Sequence, residues 1–301
     1  MINPKVSVVV ATYRRDEALK RALDSLLEQD FKETEVVIVD DNDEPEWNEK
    51  VLKIVEGFRA RTKLEIKLLV NHPNMGSAKA RNKGIETCKG EYITFLDDDD
   101  VYLPQKIKRQ YEAMAEKEAD YSITDLCLYN EDDSFCEYRS RDYLENYDEK
   151  KLFVFHLKYH MTGTDTMMFK REYLLKIGGF DAIDVGDEFY LMLKAIKNNG
   201  KFIYVPRCDV KAYVHSELPG LSNGQGKIDG ENELYSFKQQ FFSELQRKDI
   251  RYIRMRHYAV LAFAYYRMRA YWRFFSCGTK SFLASPTSCL MMLLCSKRDR
   301  R

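Results

Sequence analysis

The sequence predicts an α/β protein with a mostly parallel central sheet, helices on both of its faces, and a helical C-terminal extension. Three observations carry that expectation. Short β-branched runs alternate with segments of helical periodicity through the first 130 residues. Two of those runs stop abruptly in carboxylates. From residue 231 the pattern turns helical, aromatic and basic.

Val6-Ser7-Val8-Val9-Val10-Ala11 is the short β-branched run of a buried strand. Residues 16–29 then space Ala18, Leu19, Ala22, Leu23, Leu26 and Leu27 along one face of a helix. Val36-Val37-Ile38-Val39 predicts a second strand, ending at Asp40-Asp41-Asn42-Asp43. Val51, Ile54, Val55 and Phe58 mark the next helix, and Leu64–Val70 a third strand. Asn74-Met75-Gly76-Ser77 reads as a turn and cap that opens a helix over Ala78–Thr87. After Gly90, Tyr92–Leu96 predicts a strand that ends in Asp97-Asp98-Asp99-Asp100. The acidic, aromatic residues 131–150 are expected to be loop. Strands are expected at Thr164–Lys170, Lys201–Val205 and Val210–Val214, a turn at Lys176–Phe180, and a helix at Glu188–Asn198.

A chain of 301 residues suits one large domain or two modest ones, and 45% apolar with 32% charged residues is ordinary for a soluble protein. Net charge is zero but unevenly spread. Residues 251–301 hold eleven Lys/Arg against Asp299 alone, so they carry +10 and the rest of the chain −10. The seven cysteines form no CxxC pair, which excludes zinc spacing and argues against a disulfide framework. The N-terminus runs straight into a strand without a secretory pattern. The longest uncharged stretch, between Lys280 and Lys297, contains Pro286 and falls short of the ~20 residues a membrane span needs. A reducing, cytoplasmic setting is expected.

In open α/β sheets, ligands bind outside the carboxyl ends of the strands, and acids gather at two such ends here. Four consecutive aspartates repel one another unless a cation or ordered donors compensate. Their hard oxygens, with phosphate, suit Mg²⁺ or Mn²⁺. The competing reading is a solvated acidic turn. A calcium loop is excluded, since glycine and glutamate are missing six and twelve positions into the motif.

The segments VSVVVATYRR, VVIVDDND and NMGSAKARNKGIETCKGEYITFLDDDD resemble family-2 glycosyltransferases of GT-A fold, and Gly178–Asp181, Gly186–Glu188 and His215–Ser222 resemble later blocks of that family. The resemblance implies a GT-A catalytic domain over residues 1–225, with a nucleotide-binding half (1–110) and an acceptor-binding half (111–225), followed by a helical region (226–301). It implies that Ala11, Thr12 and Tyr13 line a nucleoside pocket, with Arg15 toward phosphate. Asp41 is then the acceptor for a uracil N–H, a donor that an acceptor-only carboxylate suits; helix capping is its alternative. Asn74, Gly76, Lys79 and Arg81 surround a helix start suited to diphosphate, whereas Lys83 reads as solvated.

The family's Asp-any-Asp motif falls on Asp97-Asp98-Asp99. Asp97 and Asp98 are implied for the nucleotide-sugar, and Asp97, Asp99 and His215 for Mn²⁺ or Mg²⁺. Asp187 and Glu188 open a helix and are both candidates for the base that takes the acceptor proton; the competing reading is that acids favour a helix N-terminus. The implied reaction is inverting transfer from a nucleoside-diphosphate sugar, UDP-linked, to a glycan or lipid-linked acceptor. Its rivals are a nucleotidyltransferase, which would need glycine after the first strand where Ala11–Arg15 has none, and a non-catalytic glycan-binding scaffold. The ten aromatics and eleven cations of residues 251–301 fit peripheral attachment to an anionic membrane, or docking onto the catalytic domain. No nucleic-acid motif is present.

Overall fold

The computed structural model describes residues 4–145, 147–183, 186–214 and 224–298. They fall into two compact units: Met1–Tyr147 with Thr162–Val214, and Asp148–Met161 with His215–Arg301.

The first unit opens with strands β1 (Val6–Thr12), β2 (Thr34–Asp40), β3 (Glu65–Val70) and β4 (Tyr92–Phe95), interleaved with helices α1 (Glu17–Leu27), α2 (Pro45–Arg59) and α3 (Ser77–Thr87). After β5 (Val101–Tyr102) and α4 (Lys106–Lys117) come β6 (Tyr121–Thr124), β7 (Leu126–Asn130) and β8 (Phe135–Arg139). In chain order, α5 (Glu149–Tyr159) belongs to the second unit. The first unit resumes with β9 (Met167–Lys170), α6 (Arg171–Lys176), α7 (Asp187–Lys197), β10 (Phe202–Val205) and β11 (Val210–Val214).

Seven strands form the main sheet in the order β10-β6-β9-β4-β1-β2-β3. All neighbours are parallel except β9, which runs antiparallel to both β4 and β6. Val8, Val10, Val36 and Ile38 point one way into a core with Leu19, Leu23, Val51 and Phe58. The opposite face takes α3 so closely that a Cβ on Gly84 would lie 2.5 Å from Val9 Cγ1. Burial on both faces explains why these strands read as unbroken apolar runs rather than alternating ones.

A second sheet, β5-β11-β7-β8, holds residues that the sequence assigned to loop. Residues 131–150 instead contain β8, paired antiparallel with β7 across a bulge at Leu128/Tyr129, and the start of α5. Phe135 and Tyr138 on this edge strand are exposed, so the strand lacks an apolar face to signal it. Thr164–Thr166 is likewise a 3₁₀ turn rather than the start of a strand. The expectation against disulfides also meets one exception, because Cys127 on β7 is joined to Cys208.

In the second unit, α8 (Gly224–Gln239), α9 (Arg247–Arg267), α10 (Tyr271–Ala284) and α11 (Pro286–Arg298) follow. Helices α9 and α10 form an antiparallel hairpin: Ser281 Oγ donates to the Met255 carbonyl at 2.9 Å, and Arg251 Nε to that of Ala284 at 3.2 Å. A buried His257–Glu231 pair at 3.2 Å ties α9 to α8, and Lys158–Asp249 at 2.9 Å ties it to α5. Among the described residues, no helix is long and apolar enough to cross a membrane.

Candidate active site

The chemistry-bearing side chains of the first unit gather at the carboxyl ends of β1, β2 and β4. Each arrives there for a reason visible in the topology. Leaving β4, the chain turns through Asp97–Asp100, closed by an Asp100 N–H bond to the Asp97 carbonyl at 3.1 Å. Strand β9 pairs antiparallel with β4, Thr94 opposite Met168. Carried past the strand ends, that register sets the residue two places before β9 beside the one two places after β4. Asp165 is that residue, and its Oδ1 accepts the Asp97 N–H at 2.6 Å. Carboxylate oxygens of Asp97, Asp100 and Asp165 lie within 4.8 Å of one another.

Helix α3 supplies the counter-charge. Arg81 donates to Asp97 Oδ1 at 2.6 Å and to Asp187 Oδ2 at 2.7 Å, while its guanidinium lies over the Phe180 ring. Burial opposes the Arg81 charge, but Asp97 and Asp187 outweigh it and its pKa rises. Asp187 is the first residue of α7, entered through Gly186 at φ 77°, a backbone angle that favours glycine. Asp187 Oδ1 accepts the Glu188 N–H at 2.9 Å, so both of its oxygens are engaged. Burial pushes Asp187 up to about 7, against Arg81 and with the Glu188 charge. Burial also raises half-buried Glu188, against hydrogen bonds at the helix start.

The remaining aspartates divide the turn between them. Asp98 accepts from Thr12 Oγ1 at 2.7 Å and Tyr13 N at 3.2 Å, joining the ends of β4 and β1. Burial and the Asp99 charge push it up to about 7, with Thr12 opposing. Asp99 pairs with Arg15 at 2.9 Å. Asp100 accepts the Tyr213 N–H at 2.9 Å, and burial with the Asp165 charge holds it well above the usual carboxylate range. Burial and the Asp97 charge push Asp165 up to about 7. Asp100 and Asp165, crowded until they favour protons, form with Asp97 a hard-oxygen donor set that fits Mg²⁺ or Mn²⁺, whose charge would relieve the repulsion.

Asp41 is buried, and its carboxylate accepts from Met75 N at 2.9 Å, Gly76 N at 2.8 Å and Asn71 Nδ2 at 2.7 Å. Asn74 donates to the Asp41 carbonyl at 2.5 Å. Asp41 thus shapes the turn before α3, where Gly76 takes φ 81°. Gly76 and Lys79 line a small solvent-open pocket with Ser77, Ala78, Ala182 and Ile183. Ala11 and Thr12 end β1, where the Thr12 carbonyl accepts the Asp41 N–H at 3.0 Å; exposed Tyr13 follows, and Arg14 lies over its ring and pairs with Glu44. Lys83 donates to Asn71 Oδ1 and is committed within the protein rather than solvated. His215 lies outside the described residues.

The structure therefore brings together Thr12, Arg15, Arg81, Asp97–Asp100, Asp187 and Glu188, and keeps Asp41 and Asn74 to the turn before α3. Sequence reasoning missed Asp165, whose signal was an acid set in the otherwise apolar, strand-like run Thr164–Lys170. It also missed buried Lys106, which donates to Thr94 Oγ1 at 2.5 Å and Tyr102 OH at 2.9 Å behind the acids. Tyr102 OH in turn donates to the Phe95 carbonyl. Burial lowers Lys106 to about 7, opposed by Asp165 and Asp209.

Residues 7–178 match the family model described as Glycosyl transferase family 2. An uncharacterized glycosyltransferase of Methanocaldococcus jannaschii is 28% identical over 241 residues, covering 79% of this chain and 78% of that protein. A Campylobacter jejuni protein named GalNAc(5)-diNAcBac-PP-undecaprenol beta-1,3-glucosyltransferase is 35% identical over 101 residues, covering 33% of this chain and 31% of its own length. Among solved structures, S. aureus TarS 1–349 in complex with UDP-GlcNAc is alike in fold, with TM-score 0.60 at 17% identity, over 93% of this chain and 91% of that one.

Proposed function

We propose, on the premise that this chain belongs to Glycosyl transferase family 2, that it transfers a sugar from a UDP-linked donor to a hydroxyl of a glycan or lipid-linked acceptor, with inversion. The chain is a glycosyltransferase with the GT-A fold. The observation that carries the finer reading is the meeting of Asp97, Asp100 and Asp165 with Arg81 and Asp187 where β4 ends. The UDP-GlcNAc bound by the S. aureus neighbour supports a nucleotide-sugar donor, and the undecaprenol diphosphate in the C. jejuni relative's name supports a lipid-linked acceptor.

In this reading Asp97, Asp100 and Asp165 hold Mn²⁺ or Mg²⁺, with Asp99 next to them on the same turn. Bound there, the ion would offset the charge that builds on the departing nucleoside diphosphate. Lys79 and the N–H groups at the start of α3 meet the diphosphate. Ala11, Thr12 and Tyr13 border the nucleoside, with Asp41 fixing the adjoining turn. Glu188 takes the acceptor proton, its half-buried carboxylate standing in the first turn of α7 with a raised pKa, and Asp187 is held by Arg81. Asp187 and Arg81 hold the helix start that presents Glu188. The second unit brings the chain to the inner face of a membrane, where cell-surface polysaccharide is assembled.

Incubating the purified full chain with a panel of UDP-sugars and Mn²⁺ tests this. UDP release that depends on the metal and increases with acceptor is expected, and NMR of the product should show an inverted anomer. Pyrophosphate release would point to nucleotidyl transfer instead, and no turnover with any donor to a non-catalytic protein.

A further inference from the structure

We propose that the outward face of α10 docks onto an anionic phospholipid surface. The inference rests on the membrane part of the reading above and names the face responsible. In a helical hairpin the large apolar side chains ordinarily point at the partner helix. Here α10 turns Phe274, Cys277 and Ser281 inward and its other aromatics outward. Trp272 is 86% exposed, Leu283 71% and Phe275 65%. At about 100° per residue, Tyr271, Trp272, Phe275, Phe282 and Leu283 share one arc roughly 120° wide. Arg273 and Lys280 continue the same exposed side at its edge.

The patch passes the end of the hairpin, where the Tyr266 and Tyr271 rings lie 6.4 Å apart, to exposed Phe263, with Arg267 4.8 Å over that ring. Contiguous exposed apolar area of this kind marks an interaction surface rather than scattered surface residues. Two features select lipid as the occupant. Aromatics flanked by cations match the boundary between headgroups and acyl chains. Arg267, Arg273 and Lys280 beside the patch complement anionic lipid and oppose a second copy of the same face.

Co-sedimentation of the full chain with phosphatidylcholine vesicles, with and without phosphatidylglycerol, tests the assignment. Binding is expected to require phosphatidylglycerol and to weaken with salt. The pair Trp272→Glu with Phe275→Glu should lower the partition coefficient by about tenfold or more. The pair Arg273→Gln with Lys280→Gln should lower it by roughly fivefold per charge and flatten the salt dependence. Both variants should keep wild-type circular dichroism and wild-type UDP-sugar turnover without vesicles. Wild-type protein that turns over donor yet ignores anionic vesicles overturns the docking face and leaves the transferase reading intact. A concentration-dependent dimer that the Trp272/Phe275 variant dissolves would also overturn it, assigning the face to a second copy. Vesicle binding without donor turnover would sustain the docking face and count against the transferase reading alone.

Discussion

Arg81 reaches Asp187 at 2.7 Å, across 106 positions of sequence, and that one contact fastens helix α3 to the first turn of α7. The other guanidinium nitrogen holds Asp97, so a single cation spaces two acids of the site. A planar fork that serves two carboxylates cannot be replaced by a point charge.

Arg81→Lys should therefore fold but lose about two orders of magnitude in kcat/KM. Arg81→Met should cost about 3–5 kcal/mol of stability, because it leaves two carboxylates without their buried partner. Thermal melts and steady-state kinetics of both variants check this, and a lysine variant with wild-type kcat/KM would count against the bridge.

Glu188→Gln and Asp187→Asn separate the two candidate bases. The first should cut kcat by about 10²-fold or more, with KM for donor and Tm close to wild type. The second should lower Tm and weaken donor binding as well, since it disturbs the Arg81 partner. The reverse pattern would move the base to Asp187.

Asp165→Asn should weaken Mn²⁺ binding, read by electron paramagnetic resonance of the free ion, by about 10–100-fold. Asp99→Asn should weaken it less, because Asp99 is already paired with Arg15. Equal losses would mean that the ion sits closer to Asp99 than the donor set suggests.

Stability should depend on pH in a direction opposite to ordinary acid denaturation. Folding raises the pKa of Asp98, Asp165 and Asp187 to about 7, so between about 4 and 7 the folded state binds protons that the unfolded chain has released. Stability contributed by these groups is present below pH 4 and lost as pH rises to 7. Lys106 and Lys238 are lowered to about 7, and from there to about 10 the unfolded chain binds the extra protons, so their contribution rises with pH. His160, lowered by burial, favours the folded state as pH approaches 6.5, but it stands against five raised carboxylates, Asp100 and Glu188 adding to these three. Melting curves in EDTA should show Tm falling from pH 5 to 7 and levelling or recovering by pH 9. Mn²⁺ should shrink the fall. A Tm that climbs steadily from pH 5 to 7 in EDTA would refute the acid crowding.

The first half of the fold was legible because its signals are local. Val6–Ala11 and Val36–Val39 are buried on both faces and so spell themselves as apolar runs, and the acids at their ends mark the ligand side of the sheet. The tetra-aspartate and the Gly76 turn could likewise be found by reading along the chain. What stayed hidden depends on pairing between distant segments. Asp165 enters the site only because β9 reverses direction against β4, and β8 is an edge strand with no buried stripe. Asp41 accepts the N–H groups of Met75 and Gly76, a relationship across more than thirty residues. The aromatics of α10 were visible as composition, but their outward direction depends on which face α9 covers.

The reversed strand has one further consequence. β9 is the neighbour of both β4 and β6, although 71 residues lie between the end of β4 and its own start. Until Met167–Lys170 emerge, one side of β4 offers bare amide and carbonyl groups, a template for stray pairing with other chains. A nascent chain is thus at its most aggregation-prone with all four aspartates already translated, and a truncation before residue 167 would precipitate sooner than it would show partial activity.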